Sequence, residues 1–521
     1  MTEPAHTADG PHTVGRWLAD RAAASGRRIA IDDRGVTITY ARLDARAREL
    51  ALRLRAGGYG PGDRVATVSG NSIDHVVAFL AAARVGAAFV PLSWRATPVE
   101  LSDMLARTAP ALVLVEDEYE GLAAAALQRL NRRPPTAELG TTGVEQAVPA
   151  RIDPAAPARA VRDDDALLII FTSGSESAPK GVVLSHANCF WNNHALAGAL
   201  PLTGDDVVLS MLPQFHVAAW NVQPLLAWRV GATVVLERSF QPSRILQLIA
   251  DRGVTAMMGV PTQYRLLADD PRFAAAAVRG IRLALVGGAT VPGDLAERWA
   301  GHGVALTQGY GLTEAAPNVL WLPPDESRSH PGAAGYAYPA VDVCLADPAT
   351  GMIVGGAGVG ELWVRGPSVF AGYLDDAPAT ARAFADGGLR TGDIARRDDD
   401  GRYWIVDRLK DIYISGGENV APAEVEAALC RHPSVADAAV VGVPDPVWGE
   451  RGVAFIVRAE GARLGEDEVF AHARENLAGY KVPVRVVFVD AVPRSTIEKL
   501  ARSRLKRRAA AMMQEESHDH R

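Results

Sequence analysis

A chain of 521 residues, 48% of them hydrophobic, exceeds the size at which one core keeps growing, so at least two domains are expected, one of them large. A formal net charge of −7 gives no basic footprint for nucleic acid, and the three scattered cysteines, Cys189, Cys344 and Cys430, form neither a C-x-x-C pair nor a disulfide framework. The polar residues 1–11 lack the apolar stretch of a signal peptide, and the longest apolar tract, residues 76–92, contains Arg84 and is too short to span a bilayer. A cytoplasmic protein acting on small molecules is expected, without a transmembrane segment or nucleic-acid partner, as a monomer or homodimer.

Taken in order, the chain alternates helical and extended patterns. Leu43, Ala47, Leu50, Ala51 and Leu54 recur at helical spacing over residues 40–54, and Gly57-Gly58 stops them. Residues 64–68, 88–92 and 111–115 read as strands, with helices at 73–84 and 98–108 between them. This βα alternation predicts a layered α/β domain. Residues 122–160 read as helix and connecting loop, and residues 166–170 as a strand.

That strand runs into Phe171-Thr172-Ser173-Gly174-Ser175-Glu176-Ser177-Ala178-Pro179-Lys180-Gly181. Hydroxyls, glycines and one lysine in a single loop suit a phosphate cradle, in which backbone N–H groups and an ammonium converge on an anion. It is not a Walker loop, because Gly181 follows Lys180 where that motif needs Ser or Thr. An ordinary polar surface loop is the alternative. Next come a helix over 185–200, a strand over 207–211, and a segment Leu212-Pro213-Gln214-Phe215-His216-Val217-Ala218-Ala219-Trp220-Asn221 read as opening a helix. Strands at 233–236 and 256–260 bracket a helix at 242–252, and a strand then enters Gly287-Gly288-Ala289, where glycine lets a flat ring approach the backbone.

Gly355-Gly356-Ala357-Gly358-Val359-Gly360 is not a dinucleotide fingerprint, since the alternating Glu361-Leu362-Trp363-Val364-Arg365 that follows reads as a strand rather than a helix. Beyond residue 408 about 110 residues remain, with a helix marked by Pro422, Glu424, Val425, Ala428 and Leu429 and strands at 438–443 and 453–457, enough for an independent small domain.

Four further motifs follow the loop in fixed order: Gln308-Gly309-Tyr310-Gly311-Leu312-Thr313-Glu314, Arg390-Thr391-Gly392-Asp393, Asp407-Arg408-Leu409-Lys410-Asp411 and Gly416-Gly417-Glu418-Asn419. With the loop and a final Lys499, the chain resembles the adenylate-forming superfamily of acyl-CoA synthetases, aryl-acid CoA ligases, luciferases and nonribosomal adenylation domains, from about Thr39 to Lys499. The resemblance implies an α/β fold with a large multi-subdomain N-terminal domain, residues 1–408, binding ATP and a carboxylic acid, and a small mobile α+β C-terminal domain, residues 409–521.

The resemblance also implies roles. Thr172, Ser173, Gly174, Ser175 and Lys180 would cradle phosphates, and Gly288, Ala289, Gln308, Gly309, Tyr310, Gly311 and Thr313 would border the adenine and α-phosphate. Asp393 would accept the ribose hydroxyls, with Arg408 near ribose or phosphate, and Glu314 would hold Mg²⁺. His216 would gate the carboxylate site, whose acyl pocket Gly287, Gly311, Leu312, Pro317, Asn318, Ala218, Ala219, Trp220, Asn221 and Val222 would line. Lys410 would be the hinge, Gly416, Gly417 and Trp448 would meet the CoA pantetheine, and Lys499 would be the adenylation lysine.

The implied chemistry is attack of a carboxylate on the α-phosphorus of ATP, release of pyrophosphate, and transfer of the acyl group to the CoA thiol, for a medium-chain or aromatic acid. Two anions must meet, so charge neutralisation by Lys180, Lys499, Arg408 and Mg²⁺ dominates, with Thr313 as a further catalytic contact. Another acceptor, a carrier-protein pantetheine or nitrite in diazo formation on an amino-aryl acid, is the alternative; a non-catalytic nucleotide-binding protein is a second. Glu176 and Ser177 replace the family's usual Thr-Gly, and Glu498 replaces the glycine before the lysine.

Overall fold

The computed structural model describes residues 12–139, 148–151, 159–172, 179–274, 277–409, 411–415, 418–445, 448–477, 479–494 and 500–519. The chain divides into two compact units, residues 1–343 with 364–389, and residues 344–363 with 390–521.

The first unit is built on two sheets. In the nine-stranded sheet the order is Tyr336–Ala337, Asn318–Trp321, Leu306–Gly311, Leu283–Val286, Ala256–Gly259, Val207–Ser210, Thr233–Leu236, Ile29–Asp33 and Val36–Thr39. Its six central strands are parallel and both margins antiparallel. Parallel strands need crossover helices, which cover both faces and leave nearly continuous apolar runs such as Leu283–Val286. Helix Gly293–Ala300 contributes Leu295 and Trp299 to one such core; the Trp299 ring meets Tyr264 at 5.0 Å and Phe273 at 4.7 Å, edge to face, and its Nε1 donates to the Tyr264 carbonyl.

The seven-stranded sheet runs Gly372–Tyr373, Lys180–Ser185, Ala166–Thr172, Ala88–Leu92, Arg64–Val68, Leu112–Val115 and Thr136–Glu138. The expected helix and strand within the long apolar tract are Ile73–Val85 and Ala88–Leu92, joined through Gly86 at φ +79°. Buried Arg84 is ion-paired there with Asp44. Caps set the helix starts: Ser72 accepts from the His75 N–H, and Thr97 and Glu100 form a capping box before Pro98–Thr108. Sequence patterning did not reveal helix Val14–Ser25, the hairpin Ile29–Asp33 with Val36–Thr39, or strand Lys180–Ser185. The helix expected to open at Leu212 begins instead at Ala218, because Pro213 and the turn His216 N to Pro213 O occupy the residues before it.

In the second unit, strands Val435–Asp445 and Gly449–Arg458 form a long antiparallel pair, flanked by Tyr413–Ser415, Glu418–Val420 and Arg485–Phe488. Both strands extend beyond the expected 438–443 and 453–457. Alternate residues feed opposite cores: Ala438, Val440, Ala454 and Ile456 face helices Pro422–Leu429 and Glu466–Asn476, while Ala439, Val441, Val453 and Phe455 face Leu505 and Ala509 of helix Arg502–Asp519. In the same unit strand Tyr403–Arg408 pairs with residues 393–397, and the turn expected at the 355–358 glycines leads into the strand that begins at Gly358. Among the described residues no helix is long and apolar enough to cross a membrane.

Trp299→Ala is expected to destabilise the first unit by about 3–5 kcal/mol, read as a lower urea midpoint. A loss below about 1 kcal/mol would mean that the ring is not packed as described.

Candidate active site

The candidate site of the first unit lies where parallel strands end. Strands Val207–Ser210, Ala256–Gly259, Leu283–Val286 and Leu306–Gly311 run side by side, and from their carboxyl ends emerge the segment bearing His216, the turn Gly287-Gly288-Ala289 and the residues Tyr310 to Glu314. Crevices at the carboxyl edge of an open parallel sheet are the usual ligand sites of such folds. Gly288 adopts φ +82° and is exposed with Ala289, while Gly287 is buried. Gly309 and Tyr310 are half-buried and Gly311 exposed. A Cβ on Gly311 would lie 1.8 Å from the Pro317 oxygen, so only glycine permits this close approach. Leu312 N donates to that same carbonyl, turning the strand into the 3₁₀ residues Thr313–Ala315.

Gln308, expected beside the nucleotide, uses its side chain on the backbone. Its Oε1 accepts from Val291 N at 2.7 Å, and its Nε2 donates to Ala289 O at 3.1 Å and Gly309 O at 3.0 Å. It therefore holds the 287–291 turn against the end of the neighbouring strand.

Lys180 and Glu314, far apart in sequence, meet at one residue that sequence reasoning missed. Thr172 pairs with Lys180 in the two strands that bracket residues 173–179, and strand Gly372–Tyr373 adds to the outer edge with Tyr373 opposite Val182. The Lys180 ammonium lies 5.3 Å from the Tyr373 ring centroid, and the Tyr373 hydroxyl donates to Glu314 Oε1 at 2.8 Å. Phe370 N donates to the Glu314 carbonyl, and Asn188, in the capping box of helix His186–Ala199, donates to the carbonyls of Pro367 and Val369. The signal available in sequence was an aromatic three residues after the apolar Val369-Phe370 pair, too common a pattern to single out. Ser173, Gly174, Ser175, Glu176 and Ser177 lie outside the described residues, as do Lys410, Gly416, Gly417, Glu498 and Lys499.

The His216 segment rests on a buried polar cluster. Asn71 donates from Nδ2 to Leu212 O at 2.9 Å and accepts from Gln214 N at 3.0 Å; His75 hydrogen-bonds Gln214 Oε1 and Thr67 Oγ1, each at 2.9 Å; Trp220 Nε1 donates to Gln214 O at 2.6 Å. Asn71 and His75 were not anticipated. Trp220, expected to line the acyl pocket, is fully buried, its ring 4.5 Å from Phe79 and 5.6 Å from His75, so it is core beneath the site. Asn221 and Asn318, expected as pocket residues, form with Asn192 a second buried knot: Asn192 Nδ2 donates to Asn221 O at 2.7 Å and Asn318 Nδ2 donates to Asn192 Oδ1 at 2.8 Å. The Asn318 amide is spent there, and the Asn221 amide accepts from Asn193 Nδ2 at 3.2 Å and donates to Cys189 Sγ at 3.2 Å, so neither serves a substrate substituent. Ala219 and Val222 are likewise buried, whereas Ala218, Leu312 and His216 are half-buried.

In the second unit Asp393 and Arg408 face each other across paired strands, Nε to Oδ1 at 3.1 Å, with Asp393 buried. Trp448 is exposed, and the Arg451 guanidinium lies 5.7 Å from its ring centroid. No cluster of three or more His, Cys, Asp or Glu that would hold a metal exists among the described residues. Glu314 offers a single carboxylate, whose Oε1 accepts from the Tyr373 hydroxyl at 2.8 Å.

Burial sets the pH response of the supporting core. It pushes the imidazoles of His75 and His186 from 6.5 down to about 4, against the hydrogen bond with Gln214 and the charge of Glu116 on the first and the charges of Asp165 and Asp163 on the second. The unfolded chain takes up these protons first, so stability falls as pH drops from about 6.5, by about 1.5 kcal/mol per histidine at pH 5. Urea midpoints measured between pH 7.5 and 5 are expected to decline, and the decline is expected to be about halved in His75→Gln; an unchanged slope would show that His75 is not buried neutral.

The family model of AMP-binding enzymes matches residues 18–374, and that of the AMP-binding enzyme C-terminal domain matches residues 424–499. The chain is 40% identical over 496 residues to a feruloyl-CoA synthase of an Amycolatopsis species, covering 95% of this chain and 99% of the relative. Among solved structures, ATP-bound MatB of Rhodopseudomonas palustris superposes with a TM-score of 0.87 at 33% identity, covering 95% of this chain and 98% of MatB. The amide bond synthetase McbA of Marinactinospora thermotolerans gives 0.86 at 29% identity, covering 97% of this chain and 100% of McbA. With the first model alone spanning more than half of its length, this chain belongs to the AMP-binding, adenylate-forming enzyme family.

Proposed function

We propose that the protein is an ATP-dependent, AMP-forming acid–CoA ligase for an aromatic carboxylic acid of the hydroxycinnamate type. One observation carries the adenylation reading: Tyr373 supports a lysine and a carboxylate on neighbouring chain segments, which suits a triphosphate and its accompanying Mg²⁺. The aromatic substrate class is inferred from the feruloyl-CoA synthase relative.

In this reading Lys180 neutralises phosphate charge and Thr313 hydrogen-bonds the α-phosphate. Asp393 accepts the ribose hydroxyls and Arg408 attends ribose or phosphate. Mg²⁺, when bound at Glu314, offsets charge on the leaving pyrophosphate. His216, on a segment fixed from beneath by Asn71 and Gln214, gates the carboxylate end of the acid. Gly287, Gly311 and Ala218 leave room for a flat acyl group. Lys499 stabilises the approach of carboxylate to phosphorus, where oppositely charged groups held in place matter most. We place the functional boundary after Arg408, with Lys410 as the hinge and Gly416, Gly417 and Trp448 serving the pantetheine. A different acceptor is the second reading, favoured by the similarity to an amide bond synthetase; an amine, nitrite or a carrier-protein thiol would then take the acyl group.

The test is a panel of carboxylic acids, ferulate included, incubated with ATP and with or without CoA, and scored by mass spectrometry of AMP and product. Aromatic acids are expected to give AMP and the CoA thioester. Acid-dependent AMP with CoA left unconsumed would favour another acceptor, and no acid-dependent AMP would leave a nucleotide-binding protein without ligase activity. Lys499→Ala is expected to lower acid-dependent ATP–pyrophosphate exchange by roughly 100-fold or more while largely sparing thioester formation from supplied acyl-adenylate. Equal loss in both assays would argue against separate adenylation and thioester-forming arrangements.

A further inference from the structure

Glu361 was legible in sequence only as the start of an alternating strand, yet its carboxylate gathers donors from Arg390 and Gly392 of the Arg390–Asp393 motif. It is 2% exposed. Oε2 accepts from Arg390 Nε at 3.2 Å and Nη2 at 3.0 Å and from Trp363 Nε1 at 3.0 Å, and Oε1 accepts from Gly392 N at 3.2 Å. Thr391 adds a second tie to the same strand, donating from Oγ1 to Leu362 O at 2.7 Å while accepting from Asp393 N at 3.0 Å. Between these ties Gly392 takes φ +68°, a left-handed conformation that glycine adopts at little cost.

We propose that Glu361 is a positioning residue for nucleotide recognition: it clamps the turn at Gly392 so that the Asp393 carboxylate, steadied by Arg408, meets the ribose hydroxyls in a fixed orientation. This rests on the reading of Asp393 as the ribose acceptor. A buried carboxylate is stable here because a guanidinium and two N–H groups satisfy it. An amide in its place has one acceptor oxygen instead of two, and its NH₂ group faces other donors. The isosteric Glu361→Gln therefore releases either Arg390 or Gly392, and the turn loses the constraint that aims Asp393. Glu361 itself touches neither substrate nor reacting atoms in this scheme.

The experiment compares ATP with 2′-deoxy-ATP in acid-dependent pyrophosphate release. The wild type is expected to prefer ATP by roughly 10–100-fold in kcat/KM, the range for a hydrogen bond to a charged group, and Asp393→Asn to lose most of that preference. If the wild type does not discriminate, the ribose reading of Asp393 fails. Given that it does, Glu361→Gln is expected to raise the KM for ATP about 10-fold and to reduce the preference to roughly 3-fold, with the KM for the acid unchanged. Retention of full discrimination in a folded Glu361→Gln protein would overturn the proposal, as would a loss of activity equal for both nucleotides, which marks a merely structural role. Should Glu361→Gln fail to fold by circular dichroism, Arg390→Lys, altered at a partly exposed guanidinium, is expected to narrow the preference to an intermediate value. Unchanged discrimination in that variant would overturn the proposal.

Discussion

The contact on which the first unit's candidate site depends is that of Tyr373 with two groups of opposite charge. Its ring face receives an ammonium and its hydroxyl donates to a carboxylate, so one phenol with no net charge supports both. The arrangement requires three separate chain segments to converge. Strand pairing brings Tyr373 beside Lys180–Ser185, and the Phe370 amide binds the Glu314 carbonyl, so backbone hydrogen bonds set the geometry before any side chain contributes.

Beneath the carboxyl edge of the nine-stranded sheet, buried amides and an imidazole take the place of apolar packing. Asn71, His75, Gln214 and Trp220 fix the irregular segment that carries His216, and Asn192, Asn221 and Asn318 join a helix, a short helix and a strand. Irregular backbone at a site leaves polar groups unpaired, and side-chain amides satisfy them where sheet or helix cannot. A network of this kind specifies one arrangement more sharply than interchangeable hydrophobic contacts would.

The regular elements were readable because their signals are local. Strands 64–68 and 88–92 and helices 98–108 and 242–252 follow from periodicity, with proline at the helix starts and glycine or the chain's own turn chemistry at the ends. Motif order exposed Lys180, Glu314, Asp393 and Arg408. What stayed hidden depends on partners distant in sequence. Trp220 looks like a pocket wall until Phe79 and Phe89 close around it, and Asn318 looks like a specificity residue until Asn192 claims its amide. Gln308 belongs to a nucleotide motif by position, yet its side chain serves the backbone of the adjacent turn. Tyr373 and Glu361 carry only local signals too common to single them out.

The second unit extends the same logic to the basic residues at the chain's end. Arg502 is largely buried, with Nη2 3.1 Å from Glu426 Oε2, Nη1 donating to the Val440 carbonyl at 2.8 Å and Nε 3.5 Å from Asp411. Burial raises the Glu426 pKa while the guanidinium opposes that rise, so the pair is stable only as a pair. Arg494 bridges Leu500, and Ala501 N donates to the Pro493 carbonyl, so both described flanks of residues 495–499 are anchored. Arg502, next in sequence to Ala501, also reaches Asp411, beside Lys410. Arg502 thus ties the residues that follow 499 to those that follow 410 within one folded piece.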